Sequence, residues 1–242
     1  MRVALFIPCY IDQFYPQVGI ATLKILKKLN IDVDYPSQQT CCGQPMANAG
    51  FEKYSKDAGE NFVSNFRDYD YVVSPSGSCT IHVKEHLPKV VPEAHALEPK
   101  IYELCEFLTD VIKVKDLPAR FPYRVGLHAS CHGLRGLRLG KASELNLPDF
   151  NKPKSLLQKV KDITLVDLSR TDECCGFGGT FAVSEEAISV RMGQDRINDH
   201  VSHHVEVITG ADMSCLMHLE GLIKRENKNL RVMHIAEILN GE

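Results

Sequence analysis

Cys41-Cys42-Gly43-Gln44-Pro45 and Cys174-Cys175-Gly176-Phe177-Gly178 decide how this chain is read, because each lies at the centre of the same larger arrangement. A single cysteine precedes each pair, at Cys9 and at Cys131, and a Cys-x-x-His follows, at Cys79 to His82 and at Cys215 to His218. Cys9 and Cys41 are 32 residues apart, and Cys131 and Cys174 are 43 apart; Cys42 to Cys79 is 37, against 40 for Cys175 to Cys215. Small loop insertions leave every cysteine in order, so eight of the nine cysteines form two copies of one array.

The repeat extends beyond the thiols. Val3-Ala-Leu-Phe-Ile-Pro-Cys9 matches Val125-Gly-Leu-His-Ala-Ser-Cys131 as an apolar run that ends in a cysteine, and Tyr71-Val-Val-Ser74 precedes Cys79 as Val205-Glu-Val-Ile-Thr209 precedes Cys215. Leu104-Cys-Glu-Phe-Leu108 aligns with Ile235-Ala-Glu-Ile-Leu239, which sets the ninth cysteine, Cys105, opposite Ala236 and predicts a packed core residue there. The 242 residues therefore read as two halves, 1–115 and 124–242, joined by a linker at 116–123 where Pro118 and Pro122 interrupt any helix.

Working outward, helical spacing covers Val18 to Leu29, Phe51 to Phe66, a segment from near Lys154, and Glu185 to Asp199. Strand-like runs cover the first residues to Pro8, Ile31 to Tyr35, Tyr71 to Ser74, Val125 to His128, Ile163 to Leu168 and Val205 to Thr209. Strands alternating with helices predict an α/β fold of two tandem βα halves with parallel sheets. In such sheets the loops leaving the carboxyl ends of the strands gather at one edge. All three cysteine segments of each half follow a strand, so four thiols per half are expected to converge.

A net charge of -3 with no basic run argues against a nucleic-acid surface. The apolar stretches are strand-length, short of the roughly 20 residues a membrane span needs. The amino-terminal run reads as a first strand rather than a secretion signal, which makes a reducing cytoplasm the expected compartment. There, paired cysteines serve metal binding or redox work rather than structural disulfides.

Four converging thiolates suit a tetrahedral zinc or the four irons of a cubane cluster. Their spread over three loops fits the larger object better than a compact zinc knuckle, with zinc in one half left open. Neighbouring side chains in an extended segment point to opposite sides, so both members of a Cys-Cys pair reach one site only if the chain turns. Gly43 and Gly176 are placed to supply that turn. His82 and His218 are candidate further ligands or proton carriers, whereas His128 and His132 read as ordinary strand and loop residues that can face a substrate. Gly176-Phe-Gly-Gly179 lacks the context of a dinucleotide fingerprint, and Arg135 and Arg138 read as solvated loop charges. A metal-free dithiol-disulfide enzyme and a zinc-stabilised interaction protein are the alternatives this pattern leaves open.

Pro8-Cys-Tyr-Ile-Asp12, Cys41-Cys-Gly-Gln-Pro45, Ser76-Gly-Ser-Cys79 and Cys174-Cys-Gly-Phe-Gly-Gly179 resemble the cysteine-rich CCG-domain family over nearly the whole chain. That family includes the B subunit of heterodisulfide reductase and iron-sulfur subunits of hydroxy-acid oxidising systems. The resemblance is strongest to its lactate-utilisation branch. It implies a cytoplasmic oxidoreductase subunit, inactive alone, of a three-protein system oxidising L-lactate to pyruvate with a ferredoxin-like iron-sulfur protein and a third subunit. By the same resemblance Cys9, Cys41, Cys42 and Cys79 hold one centre, and Cys131, Cys174, Cys175 and Cys215 the other, with an ordinary 4Fe-4S cluster expected and a His-ligated variant or zinc in one half left open. The reductase pattern ends in Cys-x-x-Cys, whereas this chain has His82 and His218 at the last position, which leaves four thiols per half.

Overall fold

A computed structural model describes residues 1–241. The first half runs β1 (Arg2–Leu5), α1 (Cys9–Phe14), α2 (Pro16–Lys28), β2 (Asp32–Asp34), α3 (Gln44–Asn48), α4 (Lys56–Phe66), β3 (Tyr71–Ser74), α5 (Gly77–Ile81), β4 (Ile101–Glu103) and α6 (Leu104–Glu106). The second runs β5 (Arg124–Leu127), α7 (Lys152–Leu157), β6 (Thr164–Val166), α8 (Phe181–Ser184), α9 (Glu186–Ser202), β7 (Val207–Gly210), α10 (Met213–Arg225), β8 (Arg231–His234) and α11 (Ile235–Asn240). Each half holds a four-stranded, all-parallel sheet, in the order β2-β1-β3-β4 and β6-β5-β7-β8.

The registers confirm the duplication strand by strand. Val3 sits opposite Tyr71 as Val125 sits opposite Val207. Beyond the strand ends, Phe6 N donates to Val73 O just as His128 N donates to Thr209 O. The central strands are buried on both faces, which is why Tyr71-Val-Val-Ser74 and Val207-Ile-Thr-Gly210 carry no charge.

The structure adds a fourth strand to each sheet, β4 and β8, where the sequence pattern showed only the helix that follows. Both are short, and each ends in a polar residue, Glu103 or His234, that caps the next helix. Other differences are local. The Phe51–Phe66 segment opens as a 3-10 turn, Glu52–Ser55, before α4 begins, and α9 continues past Asp199 to Ser202.

The halves share a core. α2 packs against α11, and one apolar cluster runs from Val18, Ile25 and Leu26 through Leu104 and Phe107 to Ile235, Ile238 and Leu239. Cys105 is fully buried in it. Leu117, Ala119 and Phe121 of the 116–123 segment are buried too, and Phe121 N donates to Lys161 O. The chain crosses between halves along this core rather than as a free tether. No helix among the described residues is long and apolar enough to cross a membrane.

Candidate metal centres

In each sheet the first and third strands lie side by side, with the second on one flank and the fourth on the other. The crevice where this order reverses opens beyond the carboxyl ends of β1 and β3, and of β5 and β7. Cys9 and Cys131 follow the first strand of their half, Cys79 and Cys215 follow the third, and the Cys-Cys pairs return from the second. The topology thus delivers the thiols to two matching crevices.

Within each crevice the sulfurs form a chain of contacts. Cys9 Sγ lies 3.7 Å from Cys41 Sγ, and Cys42 Sγ 3.5 Å from Cys79 Sγ. In the second half Cys131, Cys174, Cys175 and Cys215 neighbour one another in the same order, each thiol feeling the next. All nine cysteines are free thiols.

Gly43 and Gly176 make the predicted turn, at φ of +88° and +87°. Neither tolerates a side chain. A Cβ on Gly43 would meet Ser55 Cβ at 2.7 Å, and one on Gly176 would meet the Ser189 carbonyl oxygen at 2.6 Å. Their backbone N–H groups donate to Cys41 Sγ and Cys174 Sγ, and Phe177 N–H donates to Cys175 Sγ. In the first half α3 begins directly at Gln44, whereas Gly178 and Gly179 delay α8 to Phe181.

The electrostatics repeat as well. The Cys41 thiol is lowered to about 2, first by S–H donation from Cys42 and then from Cys9, and Cys174 to about 2 by Cys131 and then Cys175. Cys9 and Cys131 are pushed up, chiefly by the bonds they give to those thiolates, and Cys42 and Cys175 likewise. One anionic sulfur per half is therefore solvated by its neighbours' protons. A bound cation takes the place of those protons, and its affinity is coupled to their release. Four convergent sulfurs, a turn free of side chain and N–H donors aimed at sulfur make each crevice fit for a thiolate-bound metal or cluster.

Both crevices open into one cleft of about 620 Å³. Cys9, Cys42, Cys79, Cys131, Cys174, Cys175 and Cys215 line it, and Cys41, half-buried, touches Cys9. Tyr10 and Phe177, each next to a thiol of its own half, meet across it edge to face at 6.4 Å. Ser76, Ser78, Asn48, Thr180 and His132 add polar groups to the wall. Asp212 fixes the halves at this level, since its carboxylate accepts from Ser78 N at 2.6 Å and from Ser214 N at 3.2 Å, the starts of α5 and α10.

The histidines take up different surroundings. His82 is buried, stacks on His86 at 5.8 Å, and is lowered to about 4 by burial and then by the His86 charge. His218 places Nε2 3.4 Å from the Ser189 carbonyl oxygen. His128 sits nearer the sulfurs: its nitrogen and the sulfurs of Cys175 and Cys215 all lie within 4.8 Å of one another. Burial and then the nearby Arg196 charge push its imidazole down to about 3, so it is neutral. Spacing gave no hint of this. The signal lay in the aligned repeats, where His128 falls opposite Phe6. His132 lines the cleft, while Arg135 pairs with Glu144 at 2.7 Å and leaves the wall to others.

Residues 3–84 and 125–220 each match the CCG family, described as a cysteine-rich domain. A lactate utilization protein A from Geobacillus kaustophilus (strain HTA426) is 44% identical, with 99% of each chain covered, and one from Bacillus subtilis (strain 168) is 41% identical with the same coverage. Among solved structures, a hypothetical protein from Helicobacter pylori shares the fold at a TM-score of 0.60 and 12% identity; the match covers 98% of this chain and 48% of that one.

Proposed function

The chain belongs to the CCG cysteine-rich family, and on that premise we propose that it is the iron-sulfur redox subunit of a cytoplasmic system that oxidises L-lactate to pyruvate. The names of its full-length relatives support a role in lactate utilisation. One observation carries the finer reading: thiols of both arrays, seven of the eight, line the same cleft.

Cys9, Cys41, Cys42 and Cys79 would hold one cluster, and Cys131, Cys174, Cys175 and Cys215 the other. When bound, such clusters supply one-electron transfer. Ser76, Ser78, Asn48 and Thr180 offer hydrogen bonds to a small hydroxy acid, and His132 is the imidazole on the wall able to take its hydroxyl proton. Oxidation of lactate to pyruvate releases two electrons and two protons. No flavin or nicotinamide motif is visible in this chain, so the electrons must leave through partners, for which a ferredoxin-like iron-sulfur protein and a third subunit are proposed. Val183, 85% exposed on the rim of the cleft, offers an apolar contact for such a partner.

The test is iron, sulfide and zinc content with an absorption spectrum, on protein purified without oxygen. About eight irons per chain, with broad absorbance near 400 nm, is the expected result for two 4Fe-4S centres. In the assembled system His132→Ala should then lower lactate oxidation while leaving the iron content unchanged. A second reading has its own support. Sγ separations of 3.5 and 3.7 Å approach the roughly 3.8 Å edge of a tetrahedron with Zn–S bonds of about 2.3 Å, so zinc without iron would mark an ion site instead.

A further inference from the structure

Beneath the thiols the two halves part company. In the first, Phe6 packs edge to face on Phe62 and Phe66 of α4, at 5.1 and 5.6 Å. In the second, His128 takes the backbone position of Phe6, and α9 presents Arg196 and His200, four residues apart as Phe62 and Phe66 are. The exchange is built in. Gly126 stands where the first half has Ala4, and a Cβ there would lie 2.3 Å from His200 Nδ1.

His128 is 1% exposed, and neither ring nitrogen has a hydrogen-bond partner. Arg196 donates through its two Nη atoms to the Arg170 and Leu127 carbonyls and to Asp199, while its Nε and both nitrogens of His200 have no partner; of these groups His128 is the one set beside two sulfurs. A buried imidazole with both nitrogens idle is costly unless something at the site uses a lone pair. Neutral imidazole is a common metal ligand, and the closest candidate donors beside it are Cys175 and Cys215. The first half offers only a phenylalanine there.

We propose that His128 donates a ring nitrogen to the metal centre of the second half, alongside Cys175 and Cys215, so that the two centres differ in kind: sulfur alone in the first, sulfur and nitrogen in the second. This rests on the reading that the thiol arrays hold metal. It replaces His218 with His128 as the nitrogen donor of that half. An imidazole among thiolates raises the potential of an iron-sulfur centre, so the second half becomes the better electron acceptor of the pair.

The test is pulsed electron paramagnetic resonance on the reduced, anaerobically purified full chain, grown once with ordinary and once with ¹⁵N-labelled histidine. Zinc, if bound, is first exchanged for cobalt(II). The expected result is one centre with the coupling of a directly bound nitrogen, which changes on labelling and survives in His82→Asn and His218→Asn. His128→Phe, which installs the first half's residue, should abolish that coupling and leave the other centre's signal intact. The wild-type labelling result stands even if this variant folds poorly. Metal-loaded protein with no labelled nitrogen coupling, or coupling lost instead in His82→Asn or His218→Asn, would overturn the assignment and leave the two-centre reading in place. Protein without metal in either half would overturn both.

Discussion

The first half floors its thiols with three phenylalanine rings; the second floors the same thiols with a histidine, an arginine and another histidine. Backbone, register and glycine turns are shared, so the difference lies in chemistry rather than in shape. An aromatic floor needs nothing beyond apolar contact, whereas Arg196, 0% exposed, must be matched. Asp199 and two carbonyl oxygens match its Nη atoms. Duplicated domains that kept the thiols but exchanged the floor have specialised beneath the site while preserving its rim.

Removing that buried cation should break the comparison most severely. Arg196→Met takes the buried cation from Asp199, whose carboxylate keeps only the Ser169 and Arg170 N–H groups and His203, and should cost about 3 kcal/mol in urea unfolding. Arg196→Met with Asp199→Asn should recover much of the loss. A loss below 1 kcal/mol for the single variant would show that the second floor tolerates an apolar filling as the first does.

The glycine turns sharpen the likeness instead. Gly43→Ala and Gly176→Ala each force a side chain into the left-handed region, at about 1–3 kcal/mol. Gly176→Ala should be the worse, because its neighbour is a backbone oxygen rather than a serine side chain. Each should empty only its own half, read as half the metal per chain. Loss of all metal from one substitution would mean that the halves load together.

The effect smallest at any one step concerns pH, where the halves should pull in opposite directions. Glu103 and His234 occupy equivalent positions, each capping the closing helix of its half. Burial raises Glu103 from 4.5 to about 8, so its contribution to stability is complete below 4.5 and is lost as pH rises through 8. Burial lowers His234 from 6.5 to about 4, so its contribution is complete above 6.5 and is lost as pH falls through 4. Either slope is at most about 1.4 kcal/mol per pH unit. Glu103→Gln should flatten the alkaline limb of a melting-temperature profile and His234→Asn the acid limb; the reverse assignment would refute the pairing.

Much of this was legible in the residues. Tyr71-Val-Val-Ser74 and Val207-Ile-Thr-Gly210 announce buried parallel strands, and the order of strands and cysteines predicts converging thiols. β4 and β8 escaped because three or four residues ending in a buried Glu103 or His234 break the apolar pattern. The shared cleft escaped because it depends on contacts such as Ser78 to Asp212, 134 residues apart, which no local periodicity encodes. His82 and His218 stand out by their spacing from a cysteine, whereas His128, whose approach to two sulfurs no spacing marks, arrives from a strand end.

Asp212 carries a consequence for ancestry. Ser78 N–H, at the start of a first-half helix, is satisfied by a carboxylate that belongs to the second half and also starts that half's own helix. A lone ancestral copy must have closed this position by itself or by pairing with an identical copy. The fused chain has made one such contact one-sided. Cutting it into two proteins would therefore not restore two working ancestors, because this shared carboxylate, like the common apolar core, now belongs to both halves.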